Sequence, residues 1–285
     1  KLDPISQREY YSLWAVFAGL KRGDRDLDTT ESALLAAERA KTQTRLRQVT
    51  TELAKLTGEG LGLADMIGGG DGRGTGVVTS TRVTHATPAA TYAHICNRDL
   101  ENDIAAQLVP GGTGFNSKLA DGVDVILGGG RKQFFSAANL SGGRSDGRDL
   151  ITELQAKGYT YAGTKTELTA ADNSKKLIGL FNNSHLSYDL DRQKNSATTE
   201  PSLTEMTEKA IDVLSNNKNG FFLMVEGGRI DHALHDTNAK RALQDSVAFD
   251  NAIAAAITKM KTIDPELKNT LIVVTADHDH TLVLN

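Results

Sequence analysis

Phe221-Phe222-Leu223-Met224-Val225-Glu226-Gly227-Gly228-Arg229-Ile230-Asp231-His232-Ala233-Leu234-His235 is the stretch whose reading decides the fold. It opens on an apolar run with no strict alternation, which suits a strand covered on both faces. Glu226 ends that run, and the two glycines after it let backbone approach where a bulkier residue would clash. Asp231 and His235 are four residues apart. If a helix begins near Asp231, both project from one of its faces and can grip one ion. The same spacing also suits a helix cap or a salt bridge, so it does not settle the chemistry alone.

Working outward, short β-branched runs at 76–81, 123–127, 177–181 and 270–275 read as further strands. They alternate with helical stretches near 89–96, 150–157, 202–214 and 235–261. The last of these repeats Ala239, Leu243, Val247, Ile253, Ile257 and Met260 at close to a helical period. Alternation of this kind predicts an α/β fold with a parallel sheet. Before it, residues 1 to about 57 read as a helical hairpin. Ser6 and Glu9 fit a capping box there, and Leu46, Val49, Leu53 and Leu56 form a narrow stripe on a charged rod. The glycine-dense stretch 58–76, with Gly68-Gly69-Gly70-Asp71-Gly72, reads as a linker. The expected division is therefore 1–75, a helical segment and linker, and 76–285, the α/β domain.

Composition narrows the function. Among 285 residues, 39% hydrophobic and 24% charged, the net charge of −4 argues against a nucleic-acid binder. No apolar run approaches the roughly 20 residues that cross a bilayer. Lys1 is not an initiator methionine, so a leader was removed or the chain is a fragment. With Cys96 the single cysteine, no intramolecular disulfide forms, and a metal site would be built from His, Asp, Glu or hydroxyl groups. Six of the seven histidines fall in three clusters: His85 with His94, His232 with His235, and His278 with His280; His185 lies alone. Two clusters follow expected strands, where ligands of an open α/β sheet collect. On spacing alone, polar pairs facing solvent and the ligands of a metal-dependent hydrolase both remain open.

Four strings resemble the alkaline phosphatase family: Val83-Thr84-His85-Ala86-Thr87-Pro88-Ala89-Ala90, Asp124-Val125-Ile126-Leu127-Gly128-Gly129-Gly130-Arg131, Val225-Glu226-Gly227-Gly228-Arg229-Ile230-Asp231-His232-Ala233 and Val274-Thr275-Ala276-Asp277-His278. The resemblance covers about residues 76–285. It implies a three-layer αβα sandwich with a mainly parallel sheet and hydrolysis of phosphate monoesters through two zinc ions and one magnesium. Asp231 and His235 are implied as ligands of one Zn2+, and Asp277 and His278 of the other. Glu226 and Thr87 match the Mg2+ site, and His85 stands where some members carry Asp and others His. Arg98 matches the arginine that grips substrate phosphate, a task its planar fork suits. The resemblance further implies a homodimer and a periplasmic or extracellular setting.

The same comparison exposes gaps. No serine in an Asp-Ser-Ala-like setting precedes His85. Asp245-Ser246-Val247 falls in a helix and reads as packing, and no motif supports Ser80 or Thr81 as a nucleophile. Met66-Ile67-Gly68-Gly69-Gly70-Asp71-Gly72 invites comparison with the family's early aspartate turn, but Asp71 lies only fourteen residues before His85. The chain stops before the late histidine of the first zinc site, leaving that site incomplete. The alternative expectation is therefore a truncated or fused non-catalytic remnant, prone to aggregate at uncovered sheet edges. Asp3-Pro4-Ile5-Ser6-Gln7-Arg8-Glu9-Tyr10-Tyr11 is similar to a family attached to cytochrome c domains in planctomycete-type bacteria. That places a junction near Gly74-Thr75-Gly76.

Overall fold

A computed structural model describes residues 72–280. The helical hairpin, most of the glycine-rich linker and Asp71 fall outside the described residues. Five strands form one sheet: β1 (Gly74–Arg82), β2 (Val125–Gly129), β3 (Thr160–Ala162), β4 (Leu177–Leu180) and β5 (Phe221–Glu226). Their order is β3-β4-β2-β1-β5, and every ladder is parallel. β1 starts two residues before the expected 76, with Gly74 opposite Phe221, and its register sets Thr79 beside Glu226.

The helices are α1 (Ala86–Ala89), α2 (Glu101–Ala106), α3 (Leu150–Ala156), α4 (Lys165–Ala170), α5 (Asp189–Lys194), α6 (Leu203–Leu214), α7 (Arg229–His235) and α8 (Ala239–Ile263). Strand side chains alternate between faces, so neighbours in sequence enter different cores. Val77, Ile126 and Ile178 pack with Tyr92, Ile104, Phe134, Leu150 and Leu154 on the α1–α3 side. Val78, Val125, Leu127 and Leu177 pack with Leu168, Met206, Ala210 and Leu214 on the other. The result is the three-layer αβα sandwich with a parallel sheet. α6 begins as its sequence dictates: the Ser202 side chain accepts from the Glu205 amide, and Glu205 bonds back to the Ser202 amide. Among the described residues, no helix is long and apolar enough to cross a membrane.

The glycine-arginine string after β2 has a structural role. The Arg131 guanidinium donates to the carbonyls of Leu180 at 2.8 and 3.0 Å and of Gly163 at 2.8 Å. It thereby ties the end of β4 to the loop after β3. A side chain at Gly129 would put its Cβ 2.1 Å from the Ser184 carbonyl oxygen.

Four expectations are corrected. The run 270–275 is not a strand: it has no ladder partner, and Leu271, Ile272, Val273 and Val274 are 40–62% exposed. Branched side chains favour extended backbone, but a strand also needs an edge to pair with, and the described ladder of β5 lies on its β1 side alone. The helix expected at 89–96 lies earlier, as the single turn α1 (Ala86–Ala89); beyond it the backbone is irregular, and the Gln107 side chain takes the His94 amide at 2.8 Å and donates to its carbonyl at 3.2 Å. The expected helix 235–261 is borne out as α8 but starts at Ala239, because His235 ends the separate helix α7. Finally, α8 buries Ala242, Asp245, Ser246 and Ala252 rather than the larger apolar stripe, and Val247 is exposed. Small residues let α8 lie close to its neighbours. β3 was not foreseen; three residues are too short to show a period.

Asp245 is therefore packing, as its sequence setting suggested, but it is a titrating one. Burial pushes its carboxyl up to about 7, opposed by the Asp189 amide that donates to it. The folded state then holds a proton that the unfolded chain releases near pH 4, so stability falls as pH rises from about 4 to about 7, by up to roughly 1.4 kcal/mol per pH unit. Asp245→Asn is expected to flatten that slope in urea unfolding across this range, and an unchanged slope would assign it to other groups.

Candidate metal centre

The carboxyl ends of β1 and β5 meet at Glu226. Its carboxylate accepts from Thr79 Oγ1 at 2.5 Å and Thr81 Oγ1 at 3.2 Å, and the Thr87 hydroxyl adds a further bond. Burial raises its pKa; the hydroxyl bonds oppose that, and the nearby charge of Asp277 adds to it. Gly228 is required by close approach: a Cβ there would lie 2.4 Å from Thr81 Cγ2 and 2.9 Å from the Glu226 carboxyl carbon. Its φ is an ordinary −68°, so space rather than backbone strain excludes a side chain. α7 starts at the next residue, where the Arg229 amide donates to Ser80 Oγ at 3.2 Å.

From α7 the histidines sort into two groups that cut across their clusters in sequence. Asp231 Oδ1 is 3.5 Å from His235 Nε2, 3.8 Å from His278 Nε2 and 3.7 Å from His280 Nε2. This oxygen is buried and receives no hydrogen bond. Asp231, His235 and His280 each offer a ligand atom within 4.8 Å of the others. Asp277 Oδ2 lies 3.5 Å from His278 Nε2, and His278 Nδ1 sits 2.7 Å from the Asp279 carbonyl. That carbonyl first, and Asp277 next, raise the His278 pKa. An orphaned buried carboxylate oxygen ringed by imidazole nitrogens is a donor set that fits a divalent cation of the zinc type.

The second group is His85, His185 and His232, with ring centroids 4.4–5.4 Å apart. A guanidinium attends each ring: Arg98 Nη2 lies 3.1 Å from His85 Nε2, Arg229 Nη1 lies 2.7 Å from His232 Nδ1, and Arg82 contacts His185. Burial and these cations hold the rings neutral, with His185 pushed down to about 2, His232 to about 4 and His85 lowered.

Of the residues expected at the site, Glu226 and Thr87 bond each other, while Asp231, His235 and His278 converge, with Asp277 alongside. His85 sits with Arg98 in the second group. His94 is exposed on the turn after α1. Sequence reasoning passed over His280, His232 and His185. For His280 the Asp-His-Asp-His run was a visible signal, whereas nothing adjacent marked His185.

The alkaline phosphatase family profile matches residues 68–285. The chain belongs to the alkaline phosphatase family. A membrane-bound alkaline phosphatase of Bombyx mori is 41% identical over 245 residues, which is 75% of this chain and 42% of that protein. The crystal structure of Thermus thermophilus alkaline phosphatase superposes with a TM-score of 0.56 at 34% identity, over 70% of this chain and 37% of that one. A mutant of the alkaline phosphatase from the Antarctic bacterium TAB5, solved with Mg bound, gives 0.54 at 27% identity over 71% of this chain and 51% of that one. The chain thus spans less than half the length of the curated alkaline phosphatases it matches.

Because Gly228 has no room for a methyl group, Gly228→Ala is expected to destabilise the fold by about 1–3 kcal/mol through overpacking. Gly227→Ala, whose Cβ would find the Phe249 side chain nearest, at 3.1–3.2 Å, should cost less. Urea midpoints of the two variants check the order.

Proposed function

We propose that this chain supplies the metal-binding and phosphate-gripping part of a phosphomonoesterase centre of the alkaline phosphatase kind. The observation that carries the reading is Asp231 Oδ1, buried without a hydrogen bond among three imidazoles. In this reading Asp231 and His235 hold one Zn2+ and His280 completes its donor set. Asp277 and His278 serve the second Zn2+. Glu226, Thr87 and His85 serve Mg2+, with Glu226 exchanging hydroxyl partners for the cation. When bound, such cations stabilise charge on the attacking and leaving oxygens of phosphoryl transfer.

The protein's own groups supply the rest. Arg98 presents a planar fork of donors to two phosphate oxygens. His85 and His232 stay uncharged beside their guanidiniums and so donate or accept without adding net charge. Thr79 and Thr81 hold Glu226 in place at the strand ends. The family relationship extends the reading to phosphate monoester substrates, a homodimer and a periplasmic or extracellular setting.

A second reading, metal and phosphate binding without turnover, is favoured by the state of the hydroxyls. Thr79 and Thr81 are committed to Glu226, and Ser80 Oγ is taken by the Arg229 amide. Among the described residues, no serine near the candidate cation sites is thereby marked as a nucleophile, which the covalent route needs.

Hydrolysis of p-nitrophenyl phosphate at alkaline pH, with and without Zn2+ and Mg2+, tests the first reading. The expected result is metal-dependent turnover, abolished by chelator and by Asp277→Ala. Zinc affinity should fall roughly tenfold or more in Asp231→Ala, on the scale of losing a metal-site group. Zinc and phosphate binding with no hydrolysis would select the second reading, and no zinc binding would defeat both.

A further inference from the structure

We infer that Gln107 is a positioning residue for Arg98: its side chain pins the irregular loop that carries this arginine and thereby sets where the guanidinium meets a phosphate group. The inference deepens the phosphatase reading and takes the ligand from it. Arg98 is exposed and stands within residues 93–100, where the chain forms neither helix nor strand. Its Nη2 touches His85, but a long side chain on an untethered loop would sweep a wide arc. Its aim therefore depends on what holds the backbone beneath it.

Gln107 supplies that hold from the end of α2. Its Oε1 accepts from the His94 amide at 2.8 Å, and its Nε2 donates to the His94 carbonyl at 3.2 Å. Among the described residues, no other group outside the loop hydrogen-bonds to the backbone of residues 94–98. The two bonds need a donor and an acceptor on one side chain, which an amide has and a carboxylate or a hydrocarbon lacks. Gln107 is 7% exposed, although His94 lies at the surface, where water can serve a backbone group. Burying a glutamine for that task costs side-chain entropy, so fixing the loop's direction explains it better than satisfying polar groups. The fold also keeps space for it. Gly114 has a φ of +77°, and a Cβ there would come within 3.0 Å of Gln107 Cγ.

The other end of the loop is fixed as well. The Leu100 carbonyl accepts from the Asp103 and Ile104 amides, where α2 begins. Glu101 accepts from Arg82 Nε at 2.8 Å and from Thr84 Oγ1 at 2.5 Å, which ties the start of α2 to the end of β1. α2 is thus a strut, and Gln107 closes the preceding loop onto it. Arg98 rides on the closed segment, four residues past the clamped His94.

Cys96 makes the test direct, because the chain's single cysteine is exposed and lies in the same loop. A nitroxide attached to it in the full chain reports loop motion by electron paramagnetic resonance, and unlabelled chain is titrated with inorganic phosphate by calorimetry. Gln107→Met, which keeps the volume and loses both bonds, should mobilise the label. It should also weaken phosphate binding roughly two- to tenfold, the scale of ordering one more side chain on binding. Gln107→Glu, which keeps the acceptor alone, should fall between Gln107→Met and the wild type. Arg98→Lys should weaken phosphate binding and leave the label as it was. Urea midpoints establish that each variant is folded, and if Gln107→Met is not, Gln107→Glu is read by the same criteria. The inference is overturned by a freely mobile label in the wild type, by an equally restricted label in the folded Gln107 variant, or by a mobilised label with phosphate affinity intact. A role in stability alone predicts a lower urea midpoint with both other readouts unchanged. Any of these results with a wild type that binds phosphate leaves the phosphatase reading standing. No phosphate binding by the wild type defeats the phosphate-gripping role of Arg98 and the inference together.

Discussion

A half-buried carboxylate at the end of a strand is the constraint from which the rest follows. Glu226 is partly withdrawn from water at the rim of β5, where burial without partners disfavours its charged form. Two threonines of β1 answer it, and both are placed by the parallel register that sets Thr79 opposite Glu226. The chain must then turn past Thr81 within van der Waals range, which is why glycine follows. Since α7 begins at that turn, the directions of Asp231, His232 and His235 are set by one strand pairing and one missing Cβ.

Those directions give the rim an electrostatic polarity. Asp231 and His235, four apart on α7, meet the imidazoles of residues 278 and 280 in surroundings rich in carboxylates. His232, rotated about 100° from Asp231 on the same helix, meets His85, His185 and the guanidiniums of Arg82, Arg98 and Arg229. One short helix thus divides a side suited to cations from a side suited to anions. The proposed phosphoryl transfer would need both close together, because negative charge shifts between oxygens as the bond breaks. Seven residues of regular helix supply that juxtaposition without a long loop to order.

Much of this was legible in the sequence, for identifiable reasons. The strands 76–81, 123–127, 177–181 and 221–225 showed because each is covered on both faces and so reads as an apolar run. The helix expected at 202–214 showed because the signals of its start and its apolar face are local, although its capping box at Ser202 was not singled out. The run 270–275 had the same local signal, yet propensity says nothing about whether an edge is presented to it. The stripe on α8 misled for a related reason: the face that packs is made of alanine, serine and one aspartate, whose small size lets helices approach but whose apolar signal is weak. At the site, Asp231 and His235 were legible through helical spacing. His185 was not, since its partners His85 and His232 are far away in sequence and only the fold brings them together.

Two of the strings that carry the family resemblance therefore encode different things. In Leu127-Gly128-Gly129-Gly130-Arg131, the arginine spends its donors on backbone carbonyls of Leu180 and Gly163, and Gly129 makes room for the Ser184 carbonyl. That string is about assembling the sheet. In Glu226-Gly227-Gly228-Arg229, a similar pattern of glycine and arginine places the guanidinium on an aromatic ring and aims it at an imidazole. The difference lies in what each arginine finds within reach: backbone carbonyls at closely approaching strand ends in one case, a tyrosine and a histidine at an open rim in the other. A motif's residue types alone do not separate scaffold from chemistry; the acceptor at the end of the side chain does.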